Sequence, residues 1–316
     1  MKKTIETILM ILMTVFICAC SVNREAENFS IPKADIVYQA INNQLGSTGI
    51  VESNNLIGFV NRDGSENKQI KLKYRAYTPV FSMEAGGIYF HLNVTQPPRL
   101  IGGSGPIYFL SSSGIYKVCD QLSSSIFTFP LNGTAYLLRY DSTSIDLIDM
   151  QSCNIVKSLV QISAEVPWAK FIVSAYPSSS GKSMIFSESY RSPSRDVIYI
   201  MDIESGKVNE VFEGGYNASF SPDDQRIAYD GDDGIYVANA DGTGKRLLVK
   251  IDFSIYKEGL VPVPIWSPDG TTLVYHKCIL AECNDDLSGF SIYKVDVNTD
   301  VEQKIVDSGL YPIWIR

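Results

Sequence analysis

A repeat of 45 to 48 residues runs through most of the chain and limits the folds that it can adopt. Its clearest marker is a Ser-Pro-Asp corner after a short apolar strand, at Ser221 and again 46 residues later at Ser267. Related corners recur at near-constant spacing, at Phe81-Ser82, Phe129-Pro130, Tyr176-Pro177 and Tyr311–Ile315. Strand-like runs between the corners end at Gly, Asn and Asp clusters that favour tight hairpins. Four short strands in each copy of this length are typical of a β-propeller blade.

The order of the strands predicts how the ring closes. The first copy begins partway through, with strand-like runs over 35–40, 56–64 and 69–73, and the chain ends with a lone first strand, LYPIWIR. If that last strand joins the first sheet, every blade has four strands and two bare strand edges become hydrogen-bonded. The sequence therefore predicts an all-β fold, a six-bladed β-propeller of four-stranded antiparallel blades over residues 35–316.

The amino terminus predicts export. Lys2 and Lys3 precede an apolar run from Ile8 to Ala19, which is short for a membrane span and fits a signal peptide over 1–19. Residues 17–21, ICACS, resemble the bacterial lipobox, which implies lipidation of Cys20 and a flexible tether over 20–34. The alternative is an ordinary cleaved signal peptide. We expect a lipid-anchored, extracytoplasmic protein of the cell envelope, on the periplasmic side of the outer membrane if the cell has two membranes.

Two of the repeats resemble a known family. The segments SFSPDDQRIAYDGDDGIYVANADGTGKRLL (219–248) and IWSPDG (265–270) are similar to the propeller repeat of the TolB family, within the wider WD-like group. The resemblance implies a propeller. TolB proteins carry a separate α/β domain before the propeller, for which this chain has no room, so the family's role with its own partners is not carried over.

Composition argues against several classes of function. The net charge is −8 without a basic stripe, so we expect no nucleic-acid partner. Only 2 histidines are present, and no Ser-His-Asp pattern or nucleophile elbow occurs. We therefore expect a monomeric binding protein with no cofactor, no metal and no catalytic residues. A hydrolase or lyase that acts on envelope or extracellular glycans or peptides remains the alternative, because distant loops can assemble a site.

The acidic motifs and the histidines have structural explanations. Asp223 and Asp269 are predicted to cap turns. A second acidic group could bind calcium, but its spacing fits a solvated hairpin better than an EF-hand loop; it comprises Asp230, Asp232, Asp233 and Asp241. His91 and His276 occupy equivalent second strands of two blades, where packed or rim positions are expected.

The cysteines offer two pairs. Cys278 and Cys283 lie in one insertion and are predicted to form a disulfide, which an exported protein permits. Cys119 is predicted at the end of a fourth strand, and Cys153 at a hairpin turn on the opposite face of the ring. A disulfide needs Cα atoms within about 7 Å, so this placement argues against a bond, and the pairing stays open.

One face of the ring is predicted to carry function, and we call it the loop-rich face. It holds the loops that join second to third strands and those that join each fourth strand to the next blade. The long insertions fall there, at 41–54, 93–105, 187–196 and 277–289. So do the predicted partner-binding residues, which are Tyr77, Arg99, Trp168, Arg191, Arg195, Tyr216, Tyr256, Lys257 and Tyr311. Tyr, Trp and Arg dominate interface energies, so a protein or glycan partner is expected there. The alternatives are that the aromatic side chains merely cover the ring, or that the ring is a spacer in a larger assembly.

Overall fold

The computed structural model describes residues 32–40, 56–72, 75–82, 86–93, 106–120, 125–131, 134–150, 152–162, 170–191, 194–253, 261–278 and 289–315. These residues form 24 strands in six antiparallel sheets of four strands each. The protein is a six-bladed β-propeller, as predicted. Within the described residues, no helix has the length and apolarity that crossing a membrane requires.

In every blade the strands follow one another from the innermost to the outermost. Blade 1 contains β24 (Gly309–Trp314), β1 (Ile36–Ala40), β2 (Leu56–Val60) and β3 (Lys68–Lys71). Blade 2 contains β4 (Arg75–Ser82), β5 (Gly87–Asn93), β6 (Ile107–Ser111) and β7 (Gly114–Cys119). Blade 3 contains β8 (Ser125–Leu131), β9 (Thr134–Tyr140), β10 (Ser144–Asp149) and β11 (Ile155–Gln161).

The other three blades follow the same order. Blade 4 contains β12 (Lys170–Pro177), β13 (Ser183–Arg191), β14 (Ser194–Asp202) and β15 (Val208–Glu213). Blade 5 contains β16 (Tyr216–Phe220), β17 (Arg226–Gly231), β18 (Gly234–Asn239) and β19 (Arg246–Lys250). Blade 6 contains β20 (Ile265–Trp266), β21 (Thr272–Cys278), β22 (Phe290–Asp296) and β23 (Glu302–Val306).

The two ends of the described chain close the ring in blade 1. Strand β24 pairs with β1, with Trp314 opposite Ile36, which confirms the predicted role of the LYPIWIR segment. Arg62 connects this closed blade to blade 6. Its guanidinium lies 2.6 Å from the Asp269 carboxylate and stacks over the Trp314 ring at 4.9 Å. The closure therefore combines backbone hydrogen bonds with a contact between the first and last blades.

Apolar side chains from adjacent sheets form the core. Between blades 1 and 6, Tyr38 is fully buried and packs in a cluster with Val274 and Ile292. The Tyr38 ring occupies the space where a Cβ atom would stand at Gly58 and at Gly309, so these two glycines let the ring lie flat on its own sheet. Burial of this apolar surface is the main force that holds neighbouring blades together.

The Ser-Pro-Asp corners have the predicted structural role. Asp269 accepts hydrogen bonds from the Ser267 hydroxyl at 2.7 Å and from the Thr271 backbone N–H at 3.0 Å. Asp223 accepts equivalent bonds in blade 5, from the Ser221 hydroxyl at 2.5 Å and the Gln225 backbone N–H at 3.2 Å. These carboxylates shape the turns between first and second strands.

Cys119 and Cys153 form a disulfide, with Cα atoms 5.6 Å apart, so the pairing that the sequence left open is a bond despite the expected placement on opposite faces. That expectation placed the two residues by strand order alone, which does not include the twist of the sheets. Neighbouring strands in a sheet rotate by roughly 20–25°, so an outermost strand runs obliquely across the rim of the ring. The end of β7 thereby reaches the β10–β11 turn of the next blade, where Cys153 has a positive φ of 58°. The bond joins blade 2 to blade 3.

Candidate functional site

The structure describes part of the predicted partner-binding set. Side chains are described for Arg191, Arg195, Tyr216 and Tyr311. Tyr77 lies in β4, with its side chain outside the described part of the chain. Residues Arg99, Trp168, Tyr256 and Lys257 lie outside the described residues, as do Cys20 and Cys283. Cys278 is disulfide-bonded, and its pairing with Cys283 stays a prediction.

The segment predicted as an insertion at 187–196 is an extended hairpin. Strands β13 and β14 have nine residues each, and their last described pair joins Arg191 to Ser194 at the loop-rich face. Arg191 is exposed, and its guanidinium lies over the Phe171 ring at 5.4 Å. Arg195 lies over the Tyr190 ring at 4.6 Å and forms an ion pair with Glu213. Two stacked arginine–aromatic pairs thus lie at the tip of blade 4, on opposite faces of its sheet.

A hydrogen-bond network supports this tip from below. The Glu188 carboxylate is 5% exposed and accepts a bond from Lys170 Nζ at 3.1 Å. The same carboxylate accepts a bond from the Tyr190 hydroxyl at 2.7 Å, and that hydroxyl lies 2.9 Å from the hydroxyl of Tyr199. Burial, together with these bonds to Tyr199 and Glu188, raises the pKa of Tyr190 far above its usual range. The network therefore holds the ring beneath Arg195 in one orientation.

The innermost strands carry irregularities at a common level of the ring. Four of the six described pairs of first and second strands have a register shift, located at Val37/Gln39, Tyr77/Val80, Ile172/Ser174 and Tyr216/Ser219. Asn217 and Tyr311 lie within two of these shifts and have positive φ angles of 51° and 47°. A bulky residue such as Tyr311 rarely adopts this conformation. Bulges of this kind redirect side chains and are frequent beside functional sites.

A ring of polar positions lies at the same level on the second strands. In each blade it is the third residue after the partner of the innermost strand's corner residue, as when Phe220 pairs with Ile227 and Asp230 follows. Counted from Trp314, Phe81, Pro130, Pro177, Phe220 and Trp266 in blades 1 to 6, the position is polar in five of the six blades, which carry Gln39, His91, Ser187, Asp230 and His276. Blade 3 has Leu138 there. We call these five residues the polar belt; the four whose side chains are described are at most 1% exposed.

Asp230 is the most perturbed member of the polar belt. Its Oδ2 accepts a hydrogen bond from Asn217 Nδ2 at 3.0 Å, while its Oδ1 is buried without a hydrogen-bond partner in the described part of the chain. Burial raises the pKa of the Asp230 carboxyl well above its usual range, and the Asn217 bond only partly opposes this shift. Burial therefore favours the protonated, uncharged form of this carboxyl.

Gln39 and Ser187 differ in whether their buried side chains are hydrogen-bonded. Both polar atoms of the Gln39 amide are buried, and within the described residues neither has a hydrogen-bond partner. By contrast, the Ser187 hydroxyl pairs with that of Ser174 on the innermost strand at 3.0 Å. Buried polar atoms are nearly always hydrogen-bonded in native proteins, so the Gln39 amide and Asp230 Oδ1 are two separate positions where water or another polar group can bond.

Aromatic groups from several blades converge on the belt. Burial raises the pKa of Tyr176 well above its usual range, and Tyr140, Asp230 and Tyr311 add to this shift. Residues from blades 3, 4, 5 and 1 therefore share one electrostatic environment. The rings of Tyr311 and His276 meet edge to face, with centroids 5.0 Å apart.

Tyr216 connects the belt to the blade 4 hairpin. Burial raises its pKa above its usual range, and Asp230, Asp196 and Asp232 contribute. Asp196 belongs to β14 of the extended hairpin. Tyr216 and Tyr311, both predicted to contact a partner from the surface, are half-buried and belong to the surroundings of the belt.

The described residues contain no group of three or more His, Cys, Asp or Glu side chains that could hold a metal ion. In the acidic segment considered for calcium, Asp241 accepts a bond from the Thr243 backbone N–H at 2.9 Å, and Asp233 accepts one from the Tyr236 hydroxyl at 2.5 Å. Gln39, Ser187 and Tyr176 were missed from the sequence because no local motif marks them. Aligning the second strands from their corners would have found the first two.

No protein-family model and no curated protein sequence matches the chain. Solved structures do. TolB from Acinetobacter baumannii has a TM-score of 0.65 at 15% identity, covering 89% of this chain and 66% of that protein. A putative TolB from Agrobacterium tumefaciens has a TM-score of 0.55 at 14% identity, covering 87% of this chain and 90% of that one. An oligogalacturonate lyase in complex with manganese has a TM-score of 0.52 at 12% identity, covering 77% and 74%. At these identities the likeness establishes a shared fold.

Proposed function

We propose that the protein is a lipid-anchored, extracytoplasmic binding propeller that captures a protein or glycan partner through its loop-rich face. The observation that carries this proposal is the tip of blade 4, where Arg191 stacks on Phe171 and Arg195 stacks on Tyr190. The tip projects on the longest described hairpin of the ring and is braced by the Lys170 and Glu188 ion pair.

This arrangement suits recognition because its side chains are already ordered. Binding normally requires flexible side chains to lose rotamer freedom, which weakens affinity by about 0.5–1.5 kcal/mol for each side chain. Stacked arginines and a hydrogen-bonded tyrosine have lost most of that freedom before the partner arrives. Their flat apolar surfaces and edge donors match a peptide chain or a sugar ring.

Membrane attachment rests on the amino-terminal residues. Residues 17–21 support lipidation at Cys20, and Ser21 after the cysteine supports delivery to the outer membrane where one exists. Metabolic labelling with a fatty-acid analogue tests this part of the proposal. Labelling should depend on Cys20, and the Cys20→Ala variant should leave the membrane fraction; retention of label in that variant would refute the lipid anchor.

The docking surface is tested by capture from native membranes with the lipidated protein. The Arg191→Ala/Arg195→Ala double variant should lose the proteins or glycans that co-purify with the natural chain. The matched control is Arg246→Ala, which removes an exposed arginine that pairs with Asp300 near a different hairpin. Equal capture by all three proteins would place recognition elsewhere and overturn the role of the blade 4 tip.

A second candidate is a glycan-directed hydrolase or lyase. The carboxyl of Asp230, whose pKa is raised by burial, is close enough to Tyr176 and Tyr216 to influence both phenols, and it supplies a buried acid group. Oligogalacturonate, the substrate class of one structural neighbour, is the first compound to assay. Formation of unsaturated product that disappears in Asp230→Asn would favour this candidate, whereas turnover that survives in Asp230→Asn would exclude Asp230 as the acid.

A further inference from the structure

We propose that the protein rests on a zwitterionic lipid bilayer with the face opposite the loop-rich face, and that exposed apolar side chains at the rim of this face enter the headgroup region. We call this side the corner face. It holds the turns between first and second strands and those between third and fourth strands. The proposal rests on the proposed lipid anchor at Cys20 and gives it an orientation, in which the tip of blade 4 points away from the membrane.

The described chain enters the propeller at the corner face. Asp35 directly precedes β1, and its carbonyl accepts a hydrogen bond from the Ile315 backbone N–H at 2.8 Å, just after the end of β24. The Asp35 carboxylate accepts a bond from the Arg62 backbone N–H at 2.8 Å. Arg62 belongs to the turn between β2 and β3, the third and fourth strands of blade 1. The point at which the amino-terminal segment joins the fold is therefore fixed on this face.

The length of that segment favours the corner face as the side next to the membrane. Pro32, the first described residue, stands 12 positions after Cys20, and a fully extended chain of this length reaches about 40 Å at most. Turning the loop-rich face to the bilayer would lift the attachment point by the height of a blade, about 30 Å for the nine residues of β13. That orientation would consume most of the available reach, whereas contact through the corner face requires little of it.

The exposed apolar side chains lie at the rim of the same face. Among the described residues, the large apolar side chains that are exposed are Ile155, Val156, Val208 and Val301, with exposed fractions of 47%, 55%, 44% and 64%. They are the first two residues of β11, the first residue of β15 and the residue directly before β23. Each of these outermost strands begins where a turn of the corner face ends. The described part of the loop-rich face has no large apolar side chain of comparable exposure.

These apolar positions are distributed around the ring, in blades 3, 4 and 6. Lys157 Nζ donates to the Ile203 carbonyl at 3.1 Å, which holds the beginning of β11 against the turn that precedes Val208. Val301 lies on a different side of the ring. Separate points on three blades define a plane, so a flat and laterally continuous partner can contact all of them together. Apolar side chains that enter a bilayer surface strengthen attachment in proportion to the area that they bury.

The charge of the corner face selects the kind of lipid. In the described turns of this face, acidic side chains outnumber basic ones, and several of the acidic side chains are exposed, including Asp63, Glu204 and Asp241. An anionic lipid surface would repel these carboxylates. A zwitterionic surface such as that of phosphatidylethanolamine has no net charge, so the apolar rim can reach it without this repulsion.

The test places a tryptophan at the rim and measures its quenching by brominated acyl chains in vesicles of phosphatidylethanolamine and phosphatidylcholine. The lipidated full chain carries Val208→Trp or Val301→Trp, and the matched control carries Ser194→Trp at an exposed position on the tip of blade 4. The natural chain, with its 3 tryptophans, supplies the background. Both rim tryptophans should be quenched at least about threefold more than the control. Equal quenching at all three positions, or stronger quenching of the control, would overturn the orientation.

Flotation of the same vesicles separates this proposal from the lipid anchor on which it rests. Flotation of the natural chain but not of Cys20→Ala supports the anchor. If the natural chain floats while neither rim tryptophan is quenched, the membrane contact is refuted although the anchor stands, and a protein partner becomes the occupant of the apolar rim. Failure of the natural chain to float would refute the anchor and the orientation together.

A charge at the rim then tests the contact itself. Val208→Asp should reduce quenching of the Val301→Trp reporter by at least about twofold, because a carboxylate resists burial beside acyl chains. Ser194→Asp adds the same charge at the tip of blade 4 and should leave this quenching unchanged. Partial replacement of the lipid by phosphatidylglycerol at low salt should also reduce quenching. Thermal unfolding verifies that each variant is folded; unchanged quenching in Val208→Asp, or stronger quenching on the anionic vesicles, would overturn the proposal.

Discussion

Removal of the Cys119–Cys153 disulfide should lower the free energy of unfolding by about 3.8 kcal/mol near 25 °C, the value that the chain-entropy relation gives for this loop. The two cysteines are 34 residues apart in sequence, so the bond constrains most of blade 3 in the unfolded chain. Cys119 is 2% exposed, and its replacement by alanine also removes a buried sulfur from the interface of blades 2 and 3. The loss should therefore not fall below the entropic value.

The measurement is guanidinium unfolding followed by tryptophan fluorescence, comparing the natural chain with Cys119→Ala/Cys153→Ala. Both proteins are also unfolded with reductant. The difference between the two reductant effects isolates this bond from the second disulfide at Cys278. A loss smaller than about 1 kcal/mol would show that the disulfide does not constrain the unfolded chain as reasoned.

Three further changes test the closure of the ring and its buried acid. Trp314→Ala should destabilise the protein by about 3–5 kcal/mol in chemical denaturation, because this side chain is 3% exposed in the closing strand; a loss typical of a surface site would contradict closure. Hydrogen bonds from Ser267, Arg62 and Thr271 outweigh burial and hold the pKa of Asp269 well below its usual range. The natural chain should therefore exceed Asp269→Asn in stability by roughly 1 kcal/mol or less, after solvent screening, above about pH 4, and this margin should vanish as the pH falls further. For Asp230 the pH dependence of stability has the opposite sign, because burial raises the pKa of its carboxyl. The free energy of unfolding of the natural chain, relative to that of Asp230→Asn, should decline as the pH rises from about 4. A difference that stays constant between about pH 4 and 9 would contradict this shift.

The architecture was predictable because the sequence repeats one structural unit, the four-stranded blade. Each blade contributes similar corners and turns, so spacing alone indicated the number of sheets, and the lone final strand indicated closure between β24 and β1. The turn role of Asp223 and Asp269 was predictable for the same reason, because a local hydrogen-bond pattern needs only neighbouring residues.

The candidate site was less predictable because it depends on geometry across blades. Cys119 and Cys153 meet only because the outer strands twist across the rim, which no spacing rule conveys. Gln39 and Asp230 look unrelated in sequence, and only the pairing register places them at one level. The polar residues of the hairpin at 187–196 resemble a loop insertion in sequence, although they continue the ladder to Arg191 and Ser194.

The joining of β24 to β1 has a consequence for biosynthesis. Strands of blades 2 to 6 are all made before residues 309–314 leave the ribosome, whereas blade 1 waits for them with one edge bare. Until then the apolar surface of blade 6 that receives Tyr38, including Val274 and Ile292, has no complete partner. A nascent chain that stalls or is cleaved before this point exposes the unpaired edge of β1 and the apolar surface of blade 6. Chaperones and proteases recognise such exposed surfaces. Pairing of β24 with β1 therefore completes blade 1 and the apolar interface that it shares with blade 6.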